Sequence, residues 1–130
     1  MLNHKSLLTI VLFLLLPIFA LAAAPAMKPA MNETQKIEAL IAAVEHESGA
    51  TFIRNGSEHK PTEAASHLRL KWKNAGKRVR NAEDFIRYCA TGSSMSGKPY
   101  RIRLADGREL ASADYFHEQL RRIAATPAHP

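Results

Sequence analysis

The chain has 130 residues, 46% of them hydrophobic and 23% charged, which is the composition of one folded domain rather than of a disordered segment. Lysine and arginine number 18 against 12 acidic residues, so the formal net charge is +6. This length excludes a TIM barrel, and a single cysteine excludes a disulfide-stapled scaffold. Neither figure identifies an activity.

The first 22 residues have the pattern of a secretory signal peptide. Lys5 precedes an apolar run over residues 7–21, and residues 20–22 form a small-x-small cleavage site. An uncleaved anchor is the alternative, but the run contains Pro17 and is shorter than the roughly 20 residues of a membrane-spanning helix. We therefore predict a periplasmic or secreted protein with no stable membrane anchor after cleavage.

The remaining chain is predicted to form one small α+β domain of about four helices with one or two short β-hairpins. Residues 23–31, rich in proline and alanine, are predicted to be a flexible linker. Residues 32–125 form the domain. Residues 126–130, which contain two prolines, are expected to be a disordered tail.

The first predicted helix covers about residues 33–48. Asn32 and Gln35 have the spacing of a capping box, and Gly49 is a natural stop. A short extended segment follows over residues 51–60, where the sequence Asn-Gly favours a tight hairpin turn.

The second predicted helix begins after Pro61 with Thr62 as its cap and extends to about Val79. Gly76 is expected to weaken this helix without ending it. A third helix is predicted after Asn81, whose side chain can cap it.

A second hairpin and a fourth helix are predicted to complete the domain. A three-residue loop that closes at Gly107 would place Ile102 opposite Leu110 and keep one face of the hairpin apolar, whereas a two-residue loop would place Arg103 there. The fourth helix is expected to begin with Ser112 as its cap.

Four short strings of residues, in this order and at this spacing, resemble the YfeK-like family of small exported bacterial proteins. The resemblance extends from about Ile37 to Arg122 and implies an exported domain of unknown function; it implies no catalytic residue. The strings are residues 52–56 (FIRNG), 67–71 (HLRLK), 82–86 (AEDFI) and 93–100 (SSMSGKPY).

Basic residues dominate the second helix and the second hairpin. Like charges at i,i+4 oppose helix formation, so an anionic ligand, an acidic partner or nearby carboxylates must offset them, unless water alone solvates the face. Nucleic acid is excluded as a partner by the predicted export. The predicted ligand-binding residues of this surface are Arg69, Lys73, Lys77, Arg80, Arg101 and Arg103.

A loop rich in serine and glycine follows the third helix. Residues 92–98 match the G-x-x-x-x-G-K pattern of phosphate loops, but Pro99 stands where a Mg²⁺-binding Ser or Thr is required. Ser94, Ser96 and Lys98 are therefore kept as candidate contacts for an anion or a sugar, and an ordinary capped turn is the favoured alternative. Arg54, which no local pattern explains, either pairs with a carboxylate or belongs to a binding site.

Catalytic and metal-binding patterns are incomplete. The string beginning at His117 has Arg121 where a second zinc-ligating histidine belongs. No catalytic residue, metal or cofactor is predicted, and the single thiol, Cys89, is expected to be buried and inert. A serine hydrolase would need a base such as His59, His67 or Lys98 near the serine.

These patterns together predict an exported, non-enzymatic binding module whose basic surface meets an anionic component of the cell envelope. The alternative is a protein-interaction or assembly factor of the envelope, in which the same surface meets an acidic protein. A small serine-dependent hydrolase is the third possibility.

Overall fold

A computed structural model describes residue 24 and residues 29–126. The predicted signal peptide, most of the predicted linker and residues 127–130 lie outside the described residues. Four helices and a four-stranded antiparallel sheet confirm the predicted α+β class. The helices are α1 (Glu33–Glu45), α2 (Pro61–Ala75), α3 (Ala82–Phe85) and α4 (Ser112–Ala125), and the strands are β1 (Thr51–Arg54), β2 (Ser57–His59), β3 (Arg101–Arg103) and β4 (Glu109–Ala111).

The two hairpins join into one sheet with the strand order β2-β1-β3-β4. Strands β1 and β3 pair antiparallel, with Phe52 opposite Ile102. Ile102 also lies opposite Leu110 on β4, which confirms the register predicted from a three-residue loop. Because the two hairpins share this apolar row, one face of the sheet packs against the helices.

The turns of the two hairpins follow from their glycines. Asn55 and Gly56 have φ values of 50° and 77°, the two left-handed positions that a type I′ turn between β1 and β2 requires. Gly107 has a φ of 88° and donates its N–H to Leu104 O at 2.9 Å, which closes the predicted loop between β3 and β4.

Several predicted helix ends are wrong by a few residues. The capping box of α1 is confirmed, but the helix ends at Glu45, with His46 as its C-cap. Lys60 rather than Thr62 is the N-cap of α2, because Pro61 occupies the first helical position that its fixed φ favours.

The predicted end of the second helix and the predicted cap of the fourth are also corrected. Helix α2 ends at Ala75, because Gly76 adopts a φ of 53° and a single 3₁₀ turn follows it. Gly76 therefore ends the helix. Ser112 is the first residue of α4 rather than its cap, and its backbone N–H bonds to Tyr100 O at 2.9 Å.

The core lies between the sheet and the four helices. Helix α3 continues without a break into a π-helical turn over Ile86–Ala90, and Asn81 caps its start as predicted. Phe85 and Phe116 are fully buried and pack edge to face with their ring centroids 6.2 Å apart. Cys89 is completely buried, which confirms the prediction for that side chain, and burial raises the pKa of its thiol. Across the described residues, no helix has the length and hydropathy needed to cross a membrane.

Candidate functional site

A cavity of about 250 Å³ lies between α2 and the helix-facing side of the sheet. Its floor is apolar, and polar side chains surround that floor. The apolar lining is Phe52, Ile53, Ala64, Leu68 and Phe116, and the polar lining includes Arg54, His59, Glu63, His67 and Tyr100. A small concave site with an apolar floor and convergent polar groups is the usual form of a ligand-binding pocket.

Arg54 lies at the end of β1 and lines this cavity. Successive side chains of a strand alternate between faces, so Arg54 shares the helix-facing side of the sheet with Phe52. This period places the side chain of Arg54 toward the cavity. Arg54 is half-buried, and within residues 29–126 its guanidinium has no carboxylate partner and no hydrogen bond.

His67, on α2, lines the cavity and connects to a chain of polar groups. Lys71, one turn further along α2, donates from Nζ to the Tyr100 hydroxyl at 3.0 Å and to Gly92 O at 2.8 Å. The Tyr100 hydroxyl lies 3.4 Å from His67 Nε2. Burial, and then the positive charges of Arg54 and Lys71, lower the pKa of His67 to about 4, so its ring is uncharged at neutral pH.

His59 enters the cavity lining from the neighbouring strand β2. It lies opposite Phe52 in the hairpin, so it faces the helices as well. Its Nδ1 is 3.5 Å from Glu63 Oε2 on α2. Its Nε2 is buried and has no hydrogen-bond partner among the described residues.

The outer face of the sheet carries Arg101 and Arg103, as expected from the alternation of that strand. Arg101 Nε contacts Glu109 Oε1 at 2.6 Å. Arg103 Nη1 contacts Glu58 Oε1 at 2.9 Å. Arg101 also borders the cavity, but its guanidinium is held by Glu109 on the outer face. Carboxylates from β2 and β4 thus neutralise the positive charge predicted for this face.

The four basic residues predicted on the second helix are divided by the end of that helix. Arg69 contacts Glu45 of α1 at 2.8 Å, and Arg80, beyond the helix, lies 3.4 Å from the buried carboxylate of Asp84. Lys73 and Lys77 are exposed and make no ion pair within residues 29–126. Only Lys73 and Lys77 of this set are therefore available to a ligand without breaking an existing pair.

The serine and glycine loop is tied to the turn between β1 and β2. Ser93 Oγ accepts the backbone N–H groups of Met95 and Ser96 at 3.3 and 3.2 Å. Ser96 Oγ donates to Asn55 Oδ1 at 2.5 Å and accepts the backbone N–H of Lys98 at 3.2 Å. These bonds are those of a capped turn. The side chains of Ser94 and Lys98 are exposed, and neither has a hydrogen bond in the part of the chain that the structure describes.

The two histidines considered as bases contact other groups in the described residues. His67 lies next to the Tyr100 hydroxyl, and His59 lies beside Glu63. Among the described residues there is no group of three acidic, histidine or cysteine side chains that could hold a metal ion.

The sequence identified Arg54 as a candidate but indicated His59 and His67 only as possible bases for a serine. These histidines are eight positions apart, and only the packing of α2 on the hairpin brings them to one cavity. Tyr100, also missed as a site residue, lines the same cavity, and Lys71 contacts its hydroxyl. One signal was present in the sequence: His67 and Lys71 are four residues apart and therefore lie on one side of α2.

Residues 31–124 match the family of unknown function DUF5329. A relative from Salmonella typhimurium (strain LT2), described as uncharacterized protein YfeK, is 45% identical over 69 residues. That alignment covers 53% of this chain and 58% of the relative, so the chain spans less than two thirds of the relative's length. No solved structure matches the chain. The matches confirm the resemblance found in the sequence, and the protein belongs to the DUF5329 family, whose function is unknown.

Proposed function

We propose that this protein is an exported, non-enzymatic binding module whose cavity between α2 and the sheet holds a small anionic ligand with an apolar body. The observation that carries the proposal is Arg54, a half-buried guanidinium at an apolar cavity with no carboxylate partner among the described residues. Removing a charged group from water is costly unless an opposite charge or hydrogen bonds replace the water. An anionic ligand supplies both the opposite charge and the hydrogen-bond acceptors.

The apolar floor supports an amphiphilic ligand rather than an inorganic ion. Leu68 and Phe116, at 5% and 1% exposure, form the base of the cavity, and the more exposed Phe52 and Ala64 line it. A ligand whose hydrocarbon packs on this lining gains about 25 cal/mol for each Å² of apolar surface removed from water, most of it the ligand's own surface. Arg54 at the rim would then fix the orientation of the charged end.

Isothermal titration with hexanesulfonate, a small singly charged anion with an apolar chain, serves as the probe that tests the proposal. We expect saturable binding, and we expect Arg54→Met to weaken it roughly tenfold, because a hydrogen bond to a charged group contributes about 1.5–3 kcal/mol. Arg87→Gln is the matched control, since it removes one exposed positive charge at a residue that does not line the cavity.

Thermal unfolding of each variant shows that the fold is intact before binding is compared. Absence of binding by the wild-type protein, or equal binding by Arg54→Met, would overturn the proposed site.

Export is tested separately by fractionation of bacterial cells that express the full chain. The apolar run and small-x-small site within residues 1–22 support cleavage and release into the periplasm or medium. We expect the extracytoplasmic fraction to contain a shortened chain that begins near residue 23. A full-length chain that stays in the cytoplasm would contradict this part of the proposal.

A second candidate function uses the basic face of α2 and the turn after it, where Lys73 and Lys77 are exposed and unpaired within residues 29–126. An anionic envelope component or an acidic protein would bind there. Co-sedimentation with lipopolysaccharide, peptidoglycan and anionic vesicles at low and moderate salt tests it, with a variant in which Arg69, Lys73, Lys77 and Arg80 are all changed to Gln.

Salt-sensitive binding that the variant loses would support the basic face. Stoichiometric capture of one acidic protein would instead favour the assembly role. If the quadruple variant binds as strongly as the wild-type protein, the basic face is not the binding surface and this second candidate function is wrong.

A further inference from the structure

The charges around the cavity set the charge of the ligand that it can hold. Three of the basic groups there already have partners: Arg101 is held by Glu109, His59 lies beside Glu63, and Lys71 donates to Gly92 O and to Tyr100. Of the charged side chains that line the cavity, only Arg54 has no partner among the described residues, and the buried Nε2 of His59 also lacks a hydrogen bond there. Glu63 also lines the cavity and brings a negative charge to its edge.

Hydrogen bonding determines which nitrogen of His67 carries its hydrogen. The ammonium group of Lys71 can only donate, so the Tyr100 hydroxyl accepts from it and keeps its own hydrogen for another acceptor. The group next to that hydroxyl is His67 Nε2, at 3.4 Å. When the hydroxyl gives its hydrogen to Nε2, Nδ1 of the uncharged ring carries the N–H. Nδ1 has no hydrogen bond within residues 29–126.

The surroundings of His67 keep it uncharged. Arg54 on β1, His59 on β2 and Lys71 on α2 all disfavour a positive ring, and burial acts in the same direction. Glu63 is held by His59, Arg101 by Glu109, and the Tyr100 hydroxyl by Lys71. At neutral pH the cavity thus offers one positive charge and one neutral N–H donor.

A carboxylate fits this pair of groups better than a phosphate monoester. A carboxylate carries one negative charge and accepts two parallel bonds from a guanidinium. A phosphate monoester carries about −1.5 to −2 at pH 7 and would leave charge uncompensated beside Glu63. The cavity volume of about 250 Å³ corresponds to roughly eight non-hydrogen atoms, the number in hexanoate, at about 30 Å³ for each water-sized group. The cavity is open on one side, so the two further carbons of octanoate can extend through its mouth.

We infer that the cavity selects small amphiphilic monocarboxylates, of about the size of hexanoate to octanoate, over phosphate monoesters of the same chain length. Arg54 holds the carboxylate, His67 donates to it from Nδ1, and the hydrocarbon packs on Phe52 and Ala64 above the buried Leu68 and Phe116. This inference rests on the proposed function, because it names the ligand class of the same site.

Isothermal titration with octanoate, octyl phosphate and octanol at pH 7.5 tests the ligand class. We expect octanoate to bind about tenfold more tightly than octyl phosphate, and Arg54→Met to remove the preference of octanoate over octanol. His67→Leu should weaken octanoate about two- to tenfold and leave octanol unchanged, whereas His67→Gln, which keeps an N–H donor, should bind octanoate nearly as well as the wild type. Arg87→Gln is again the charge-matched control.

The outcomes separate the two claims. If none of the three ligands binds and the hexanesulfonate probe also fails, the proposed function falls together with this inference. If the probe binds but octyl phosphate binds as tightly as octanoate or more tightly, only the selection of monocarboxylates is wrong. Equal loss of octanoate and octanol binding in His67→Leu would show that His67 shapes the cavity and does not donate to the carboxylate.

Discussion

Two basic regions of this protein differ in how their charges are used. On α2 and the turn after it, four positive side chains are close in sequence, yet Arg69 and Arg80 already hold carboxylates. At the cavity a single positive side chain, Arg54, has no such partner in the part of the chain that the structure describes. Whether a charged side chain is available to a ligand therefore depends on its neighbours in the fold. A count of charges in the sequence does not reveal which side chains are available.

The two regions also differ in what surrounds the charge. The side chain of Arg80 is 81% exposed, so water solvates it whether or not its partner is present. Arg54 is half-buried beside Phe52 and the apolar floor, where less water can reach it. Arg54 is therefore the stronger indication of a ligand-binding site, because its charge is unpaired among the described residues and less well solvated than that of Arg80.

The largest expected difference between the regions is in stability, because the floor of the cavity is also part of the core. Phe116 is 1% exposed and borders the cavity. We expect Phe116→Ala to lower the free energy of unfolding by about 3–5 kcal/mol, measured by urea denaturation. Leu70→Ala, on the exposed side of α2 at 53% exposure, should change it by less than about 0.5 kcal/mol. Similar losses in the two variants would show that the cavity floor is not integral to the core.

A smaller effect is expected where the basic region meets a buried carboxylate. Asp84 is 4% exposed, and its Oδ2 accepts the backbone N–H of Arg80 at 3.1 Å. We expect Asp84→Ala to lower the free energy of unfolding by about 1–3 kcal/mol, because that N–H loses its acceptor. Arg80→Gln removes only the exposed partner and should cost less than about 0.5 kcal/mol. A larger loss in Arg80→Gln than in Asp84→Ala would show that the ion pair, and not the backbone bond, stabilises this turn.

The pH dependence of stability distinguishes the two regions further. The folded protein lowers the pKa of His67 from an ordinary value of 6.5 to about 4, so the unfolded chain binds more protons between those values. The contribution of His67 is therefore complete above pH 6.5 and is lost as the pH falls toward 4.

We expect urea denaturation at pH 7 and pH 4.5 to show a loss of stability that is smaller in His67→Gln, by on the order of 1 kcal/mol after solvent screening. A matched substitution in the basic region, Lys73→Gln, should leave the difference between the two pH values unchanged. An identical pH difference in His67→Gln and the wild type would contradict the buried, uncharged state of His67.

Much of the fold could be predicted from local patterns. The turn at Asn55 and Gly56, the cap at Asn32 and the register of Ile102 against Leu110 all follow from residue types within a few positions of one another. The pairing of β1 with β3 could not be predicted in this way, because it joins segments about 50 residues apart and depends on how the helices pack between them. The end of α2 was misjudged because the cost of a glycine inside a helix, about 1 kcal/mol, is small enough for tertiary packing to decide the outcome.

The candidate site was less predictable than the fold. Arg54 was recognisable because it interrupts an apolar run, and the period of a strand explains its direction once β1 is known. His59 and His67 gave no signal of their own, since neither has a partner at ligand spacing in the sequence. The basic residues are conspicuous in the sequence, but ion pairs in the fold neutralise most of them. Their acidic partners come from α1, β2, β4 and the start of α3, so the sequence did not reveal the pairing.

The smallest expected effect tests whether the basic region is only solvated. Arg69 and Lys73 are four residues apart on α2, a spacing at which like charges oppose the helix. We expect Lys73→Gln to raise the free energy of unfolding by about 0.2–0.5 kcal/mol, and to do so less at high salt, because screening already weakens the repulsion. Arg69→Gln relieves the same repulsion but also removes the contact with Glu45, so its net effect should be less favourable than that of Lys73→Gln. A loss of stability in Lys73→Gln would mean that this lysine makes a stabilising interaction in the folded protein. The basic region would then resemble the ion-paired outer face of the sheet rather than a surface that only water solvates.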